Sequence, residues 1–371
     1  MKNFSTTMFI CCTLWFTAAL AADSDQVKLK TAYTQYQSLF NQGKCTKSLP
    51  YAEKSLELSR TTLGNKSKTT ATLSHNYGIN LLRAHKENQA KNVLSETAEL
   101  YKEIYGSDAP ELIGLYVDLS DALRAADYKS YWYKPHDWAL SNARKAYGKD
   151  SGDYGILLVN LGHIELVNDA PHGEARIRRG YGILEELEVP HPEMYRAEFI
   201  MGKLELANHR YKDARTHLEN SLMMLNEENK EKDLEQSVRA FLVEVLEELG
   251  ESELATQHLL AIGRMQAEAD ISDLKPLYIK KPNFPTIAFK QQTGSIINVQ
   301  KSNEGEVVLK FDVDEKGYTQ NIRVYFLEGP NDFVSPAIEA VKQFRYAPRF
   351  INGEPVEVRN LKYGFTFLLS Y

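Results

Sequence analysis

The sequence predicts an α-helical repeat solenoid of about six helical hairpins, followed by a small α+β domain with an antiparallel sheet in the order β-β-α-β. Three observations carry this. Gly64, Gly106 and Gly148 stand 42 residues apart, and a fixed period of that size marks stacked supersecondary units. Pro276, Pro282 and Pro285 then interrupt the helical pattern, because proline and the residue before it disfavour helix. From Val307 to Val313 apolar residues occupy alternate positions, the period of a half-buried strand.

The first residues read as a targeting segment. Lys2 supplies a positive start, Met8 to Leu20 is mostly apolar, and Ala19-Leu20-Ala21 precedes the polar Asp23-Ser24-Asp25. This is the layout of a secretory signal peptide over 1–21. The apolar run is short for a span of about 20 residues; the alternative is an uncleaved inner-membrane anchor facing the periplasm. Two of the three cysteines lie in this segment, so Cys45 alone cannot staple the remaining fold.

Residues 27–268 carry the repeats. Asn76-Tyr77-Gly78 recurs 84 residues later as Asn160-Leu161-Gly162, and the site between them is Asp118-Leu119-Ser120. Ala214 follows Gly202 by 12 positions, as Ala90 follows Gly78; Leu218 and Leu94 follow by 16. Leu73, Tyr77 and Leu81 form one apolar stripe, and Leu94, Ala98 and Tyr101 another, at helical steps. Small residues at Gly78, Ala90 and Ala98 allow two helices to approach closely. No such hairpin buries its face alone, and stacking is expected to create an extended concave surface. The third hairpin departs from the pattern. Where its helices should turn it reads Tyr131-Trp132-Tyr133-Lys134-Pro135-His136-Asp137-Trp138. Tyr131, Trp132 and Trp138 are candidate anchors for a partner, or filling for a poorly matched repeat.

Residues 269–304 read as a proline-rich lead-in, and 305–371 as the small domain, with a start near 280 as the alternative. Gly305 to Val313 is the first strand, Asp314-Glu315-Lys316-Gly317 a hairpin turn, and Ile322, Val324 and Phe326 the inward face of the second. Ser335-Pro336 reads as an N-cap and first helical residue. Asn352-Gly353 is a turn, and a last strand carries Val356, Val358, Leu361, Tyr363, Phe365 and Phe367. Its phase slips by one at Arg359-Asn360, which predicts a bulge.

On these residues the hairpins resemble tetratricopeptide repeats of the longer, 42-residue variety, without the family's tryptophan throughout. The last domain resembles the TonB C-terminal domain. Its motifs stand here as Gly305 to Gly317, Phe344-Arg345-Tyr346-Ala347-Pro348 and Asn352-Gly353-Glu354-Pro355-Val356, with Phe284-Pro285 where the family often has Tyr-Pro. The resemblance implies a periplasmic domain that binds the TonB box of an outer-membrane receptor by strand addition. The edge would be the last strand, through Val358, Asn360, Leu361, Tyr363, Phe365 and Phe367, with Phe284 and Pro285 contributing. The segment before Ala21 lacks the histidine of that family's anchor, and the repeats replace its proline-rich spacer.

Composition narrows the function classes. The net charge of -6 and pI near 5.9 give no basic stripe for nucleic acid. No nucleophile, phosphate-loop or metal-ligand motif is present, so neither an enzyme nor a cofactor or metal site is expected. The sequence reads as a TonB-like coupling or transport-accessory protein, with a protein partner on the repeats. The alternative is an envelope scaffold without an energy-transducing role.

Overall fold

The computed structural model describes residues 24–128, 130–225, 231–268, 274–282, 287–290 and 304–369; the targeting segment over 1–21, with its cleavage reading at Ala21, lies outside the described residues. The chain forms two compact units, 1–191 and 192–371. Among the described residues, twelve helices pair as tetratricopeptide-like hairpins, and a small antiparallel-sheet domain follows them. Unit one holds α1 (Ser24–Asn41), α2 (Cys45–Leu63), α3 (Lys68–Arg83), α4 (Glu87–Tyr105), α5 (Glu111–Ala125), α6 (Lys134–Tyr147), α7 (Gly152–Val167) and α8 (Gly173–Glu185). Unit two begins with α9 (Met194–Ala207), α10 (Tyr211–Met224), α11 (Lys232–Glu248) and α12 (Ser252–Glu268).

The 42-residue period has a backbone cause. Gly64, Gly106 and Gly148 end α2, α4 and α6 at φ of 90, 92 and 95° with ψ of 155, 157 and 150°. That region of backbone space is essentially reserved for glycine. A second set of markers, not evident from the sequence, sits inside the hairpins. Gly43, His85, Asp127, Asp169, His209 and Gly250 all have positive φ, between 53 and 76°. Each turns the chain between the two helices of a hairpin. The left-handed region tolerates histidine and aspartate as well as glycine, so this series carries no fixed letter. Ser67 and Ser151, 84 residues apart, cap α3 and α7 by accepting from the backbone N–H of Thr70 and Tyr154.

Within hairpins the small residues act as their spacing implies. A Cβ on Gly78 would fall 2.6 Å from Leu94, and one on Gly202 would fall 2.7 Å from Leu218. The α7–α8 pair is tighter still. A Cβ on Gly180 would meet the Gly155 carbonyl at 2.5 Å, and one on Gly162 the Gly173 carbonyl at 2.7 Å. Leu94, Ala98, Tyr101, Leu112 and Leu115 lie in the core of unit one, and Val238, Leu242, Val245 and Leu259 in that of unit two.

The second unit continues with β1 (Pro276–Tyr278), β2 (Ile287–Lys290), β3 (Glu304–Val313) and β4 (Thr319–Glu328). After a short 3-10 turn come α13 (Val334–Val341), β5 (Arg345–Tyr346), β6 (Arg349–Ile351), β7 (Glu354–Val356) and β8 (Val358–Leu369). The main sheet is antiparallel in the order β2-β8-β3-β4. Val307, Leu309, Phe311 and Val313 pack with Phe333, Ala337, Val341, Phe344, Phe365 and Phe367 into its core. The bulge read at Arg359-Asn360 is present. Asn360 has φ +65° and the β3–β8 register shifts beside it. Ser335-Pro336 lies inside the first turn of α13, which starts two residues earlier than the reading of Ser335 as N-cap, directly after the 3-10 turn, with Phe333 as N-cap. The proline-rich lead-in is not wholly linker, because Pro276–Tyr278 pairs with β5 and Ile287–Lys290 joins the main sheet.

This domain is packed on the last hairpin of its own unit. Arg345 is buried and meets the Glu247 carboxylate of α11, donates to the Thr256 hydroxyl of α12 at 2.7 Å and to the Lys316 carbonyl at 3.2 Å. Its guanidinium lies 3.7 Å from the centre of the Tyr318 ring. Glu248 of α11 accepts from Tyr278 at 2.7 Å and Lys280 at 2.9 Å. Gly263 of α12 is needed for the contact, since a Cβ there would lie 2.4 Å from the Pro348 carbonyl.

Candidate interaction surfaces

The final strand, β8, is positioned by the bulge that the sequence foreshadows. Asp312 of β3 accepts from the backbone N–H of Asn360 at 2.8 Å and from the Asn321 side chain at 2.9 Å. These hydrogen bonds, the Asn360 N–H first, hold the Asp312 carboxyl below the usual carboxylate range. Asn360 in turn accepts from Arg323 at 3.0 Å. The bend thus ties β3, β4 and β8 together at one acidic residue, which sequence reading did not single out.

Along β8 the named residues divide by role. Leu361, Tyr363, Phe365 and Phe367 face the core, with Phe367 fully buried and stacked on Phe333. Their side chains hold the sheet together, and what the strand offers a partner is backbone. The reading of the whole of Val358 to Phe367 as an open edge needs one correction. Thr366 to Leu369 pairs with β2, Lys290 facing Thr366 and Phe289 facing Phe367, so the chain's own segment already occupies that end. From Val358 to Phe365, β8 pairs on one side with β3; among the described residues no strand lies on its other side. Phe284 and Pro285 lie outside the described residues.

The aromatic segment of the third hairpin is split between surface and core. Trp132 is 4% exposed, which removes it from any surface a partner can reach. It packs edge-on against His136 and Tyr133, and its carbonyl accepts from Ser120 at 2.8 Å. It therefore fills the irregular turn, the blander of the two sequence readings. Tyr131 and Trp138 are exposed, against Tyr128 and Tyr116.

Below this turn lies a buried polar chain that sequence reading missed. Glu165 of α7 meets His136 at 2.8 Å and accepts from Arg176 of α8 at 2.6 Å; Arg176 also meets Asp137. His75 and Asp118 form a similar buried pair between α3 and α5, at 2.8 Å. The histidines are scattered in sequence, and only the packing of neighbouring helices brings His136 against Glu165, 29 positions away, and His75 against Asp118, 43 positions away. Among the described residues no group of three or more metal-ligating side chains converges.

Helices α9 and α11 of unit two carry a different chemistry. Lys203 of α9 lies 5.5 Å from the ring centres of both Phe199 and Phe241, and burial lowers its pKa. Burial raises that of Glu244 on α11, with Glu248 adding to the effect.

Comparison with known proteins agrees with this architecture. The model of the Gram-negative bacterial TonB protein C-terminal matches residues 297–368, and a tetratricopeptide repeat model matches 37–103. No curated protein matches the chain. Among solved structures it is similar to BtubC from P. vanneervenii, with 12% identity over 76% of this chain and 100% of that one, at TM-score 0.44. A signal-transduction ATPase with a tetratricopeptide repeat sensor from Pyrococcus horikoshii is 13% identical over 68% of this chain and 36% of that one, at TM-score 0.53. Pseudomonas aeruginosa pilF is 10% identical over 68% of this chain and 100% of that one, at TM-score 0.41. At these identities the ATPase likeness speaks for the repeat fold alone. The TonB match points to the cell envelope, and the two modules together to protein partners there.

Proposed function

We propose that this chain, which joins tetratricopeptide hairpins to a TonB-type C-terminal domain, is an exported periplasmic coupling or transport-accessory protein with no catalytic activity. Its C-terminal domain takes an extended segment of an outer-membrane receptor as an added strand, and its hairpins recruit a second protein. The observation that carries this is the flank of β8 from Val358 to Phe365, where strand backbone borders no neighbour among the described residues. An unpaired edge offers alternating N–H and C=O groups to an extended peptide. The inward side chains of Leu361, Tyr363 and Phe365 anchor that edge beyond the bulge at Asn360. β2 beside Thr366 to Leu369 sets one end of the site, so an incoming strand runs in line with it.

The test is amide hydrogen exchange on the full chain with and without a receptor-derived TonB-box peptide. The expected result is added protection within 358–365. Binding with protection elsewhere, or no binding by any such peptide, refutes strand addition. The second reading, an envelope adaptor without energy transduction, is favoured by the packing of the domain on α11 and α12 through Arg345. Under that reading partner capture by the hairpins persists when the β8 edge is blocked.

A further inference from the structure

The face of the main sheet that points away from α13 carries its side chains in rows across the strands. At one end Glu306 of β3 lies opposite Glu328 of β4. Two residues on, Val308 lies between Phe326 of β4 and Gly364 of β8; two further, Lys310 lies between Arg323 and Lys362. Tyr325, the extra residue where the β3–β4 register shifts, shares this face, with the Lys362 ammonium 3.6 Å from its ring centre. Tyr325 is 58% and Phe326 44% exposed; the register shift at Tyr325 turns Phe326 outward, against the inward placement read from the alternation, and Leu327 packs on the core in its stead. Like charges directly opposite across strands repel. Here a row of acids and a row of cations each do so, separated by an apolar row. Among the described residues none of Glu306, Glu328, Lys310, Arg323 and Lys362 has an ion pair with an opposite charge.

We propose that this face docks on the same face of a second copy. A two-fold axis along the Val308–Phe326 row reverses strand direction while keeping each strand over itself. It brings Glu306 onto Lys310 of the partner subunit and Glu328 onto Arg323 of the partner subunit, each pair formed twice. The apolar rows meet at the centre, as in aligned sheet packing. Such an interface is isologous, the self-complementary type of two-fold dimers. An anionic surface or polymer fits less well, because the acidic row lies only two rows from the cationic one. Three strands offer roughly 15 by 30 Å, about half of the ~800 Å² per partner of a standard interface. The dimer is therefore weak and electrostatically steered.

Sedimentation velocity of the full chain, from micromolar to submillimolar concentration, tests this. A reversible monomer–dimer equilibrium that weakens with salt is expected. Lys310→Glu should weaken it by about tenfold or more, and Glu306→Lys combined with Lys310→Glu should restore it to within about threefold. Phe326→Asp, at an exposed position, should abolish it and keeps the test valid if Lys310→Glu disturbs the fold. A monomer at every concentration overturns the proposal. So does a dimer indifferent to both Lys310 variants, as edge-to-edge pairing of β4 would be, since β3 is interior.

Discussion

Removing the Glu247 carboxylate should loosen the second unit as a whole. The Arg345 side chain is 2% exposed and that of Glu247 11%. Without Glu247 the guanidinium keeps only neutral acceptors, Thr256 and the Lys316 carbonyl, and the face of Tyr318. Breaking a buried pair from one side costs about 3–5 kcal/mol, because the remaining charge stays buried. Glu247→Ala should lower the stability of unit two by that amount. Glu247→Leu with Arg345→Met removes both charges and should recover at least half of the loss, since an apolar replacement of a buried pair is often near neutral. Urea unfolding followed by hydrogen-exchange mass spectrometry reads peptides of 192–268 and 304–369 separately from those of unit one. A loss below about 1 kcal/mol refutes the reasoning. Loss confined to 304–369, with α11 and α12 unaffected, equally refutes the view that hairpin and sheet unfold together.

Three further outcomes are expected. Trp132→Ala should cost about 3–5 kcal/mol and Trp138→Ala less than about 1 kcal/mol in thermal or urea unfolding, because only the first is buried. Gly106→Ala, at φ 92° and ψ 157°, should cost about 1–3 kcal/mol, whereas Gly114→Ala, inside α5 with open space around it, should be neutral or slightly stabilising. Burial, with Arg239 adding to it, lowers the His258 pKa from 6.5 to about 4. The unfolded chain therefore takes up this proton first, and the contribution is complete above pH 6.5 and lost as pH falls towards 4. Allowing for partial exposure, about 1–2 kcal/mol should disappear over that window, and His258→Gln should flatten that part of the melting-temperature profile.

Much of the fold was legible in the sequence, for a reason visible in the backbone. Gly64, Gly106 and Gly148 hold a conformation that side chains forbid, so the letter cannot drift and the period shows. The turns at His85, Asp127 and Asp169 keep the same 42-residue offset but admit several residue types, and their series was invisible. The strands were legible because β3 alternates cleanly between core and surface. What could not be read depended on distant partners. Arg345 looks like one cation at a helix end, and only the folded unit brings Glu247, 98 positions earlier, against it. Trp132 and Trp138 are equally aromatic in sequence, and packing alone separates the filler from the exposed ring. The occupation of one end of β8 by β2 had no local signal, because backbone pairing leaves little trace in residue choice.

The glycine caps also bear on how such a chain can grow. Because α2, α4 and α6 end in the same backbone angles, the stretch from residue 65 to residue 106 begins and ends at equivalent junctions. A tandem copy of it would enter with the chain direction it needs and leave with the direction its successor expects. Both junctions would then be compatible without any compensating substitution. Lengthening this part of the array by a whole hairpin is thus a single genetic event, a duplication of 42 residues between two glycine ends.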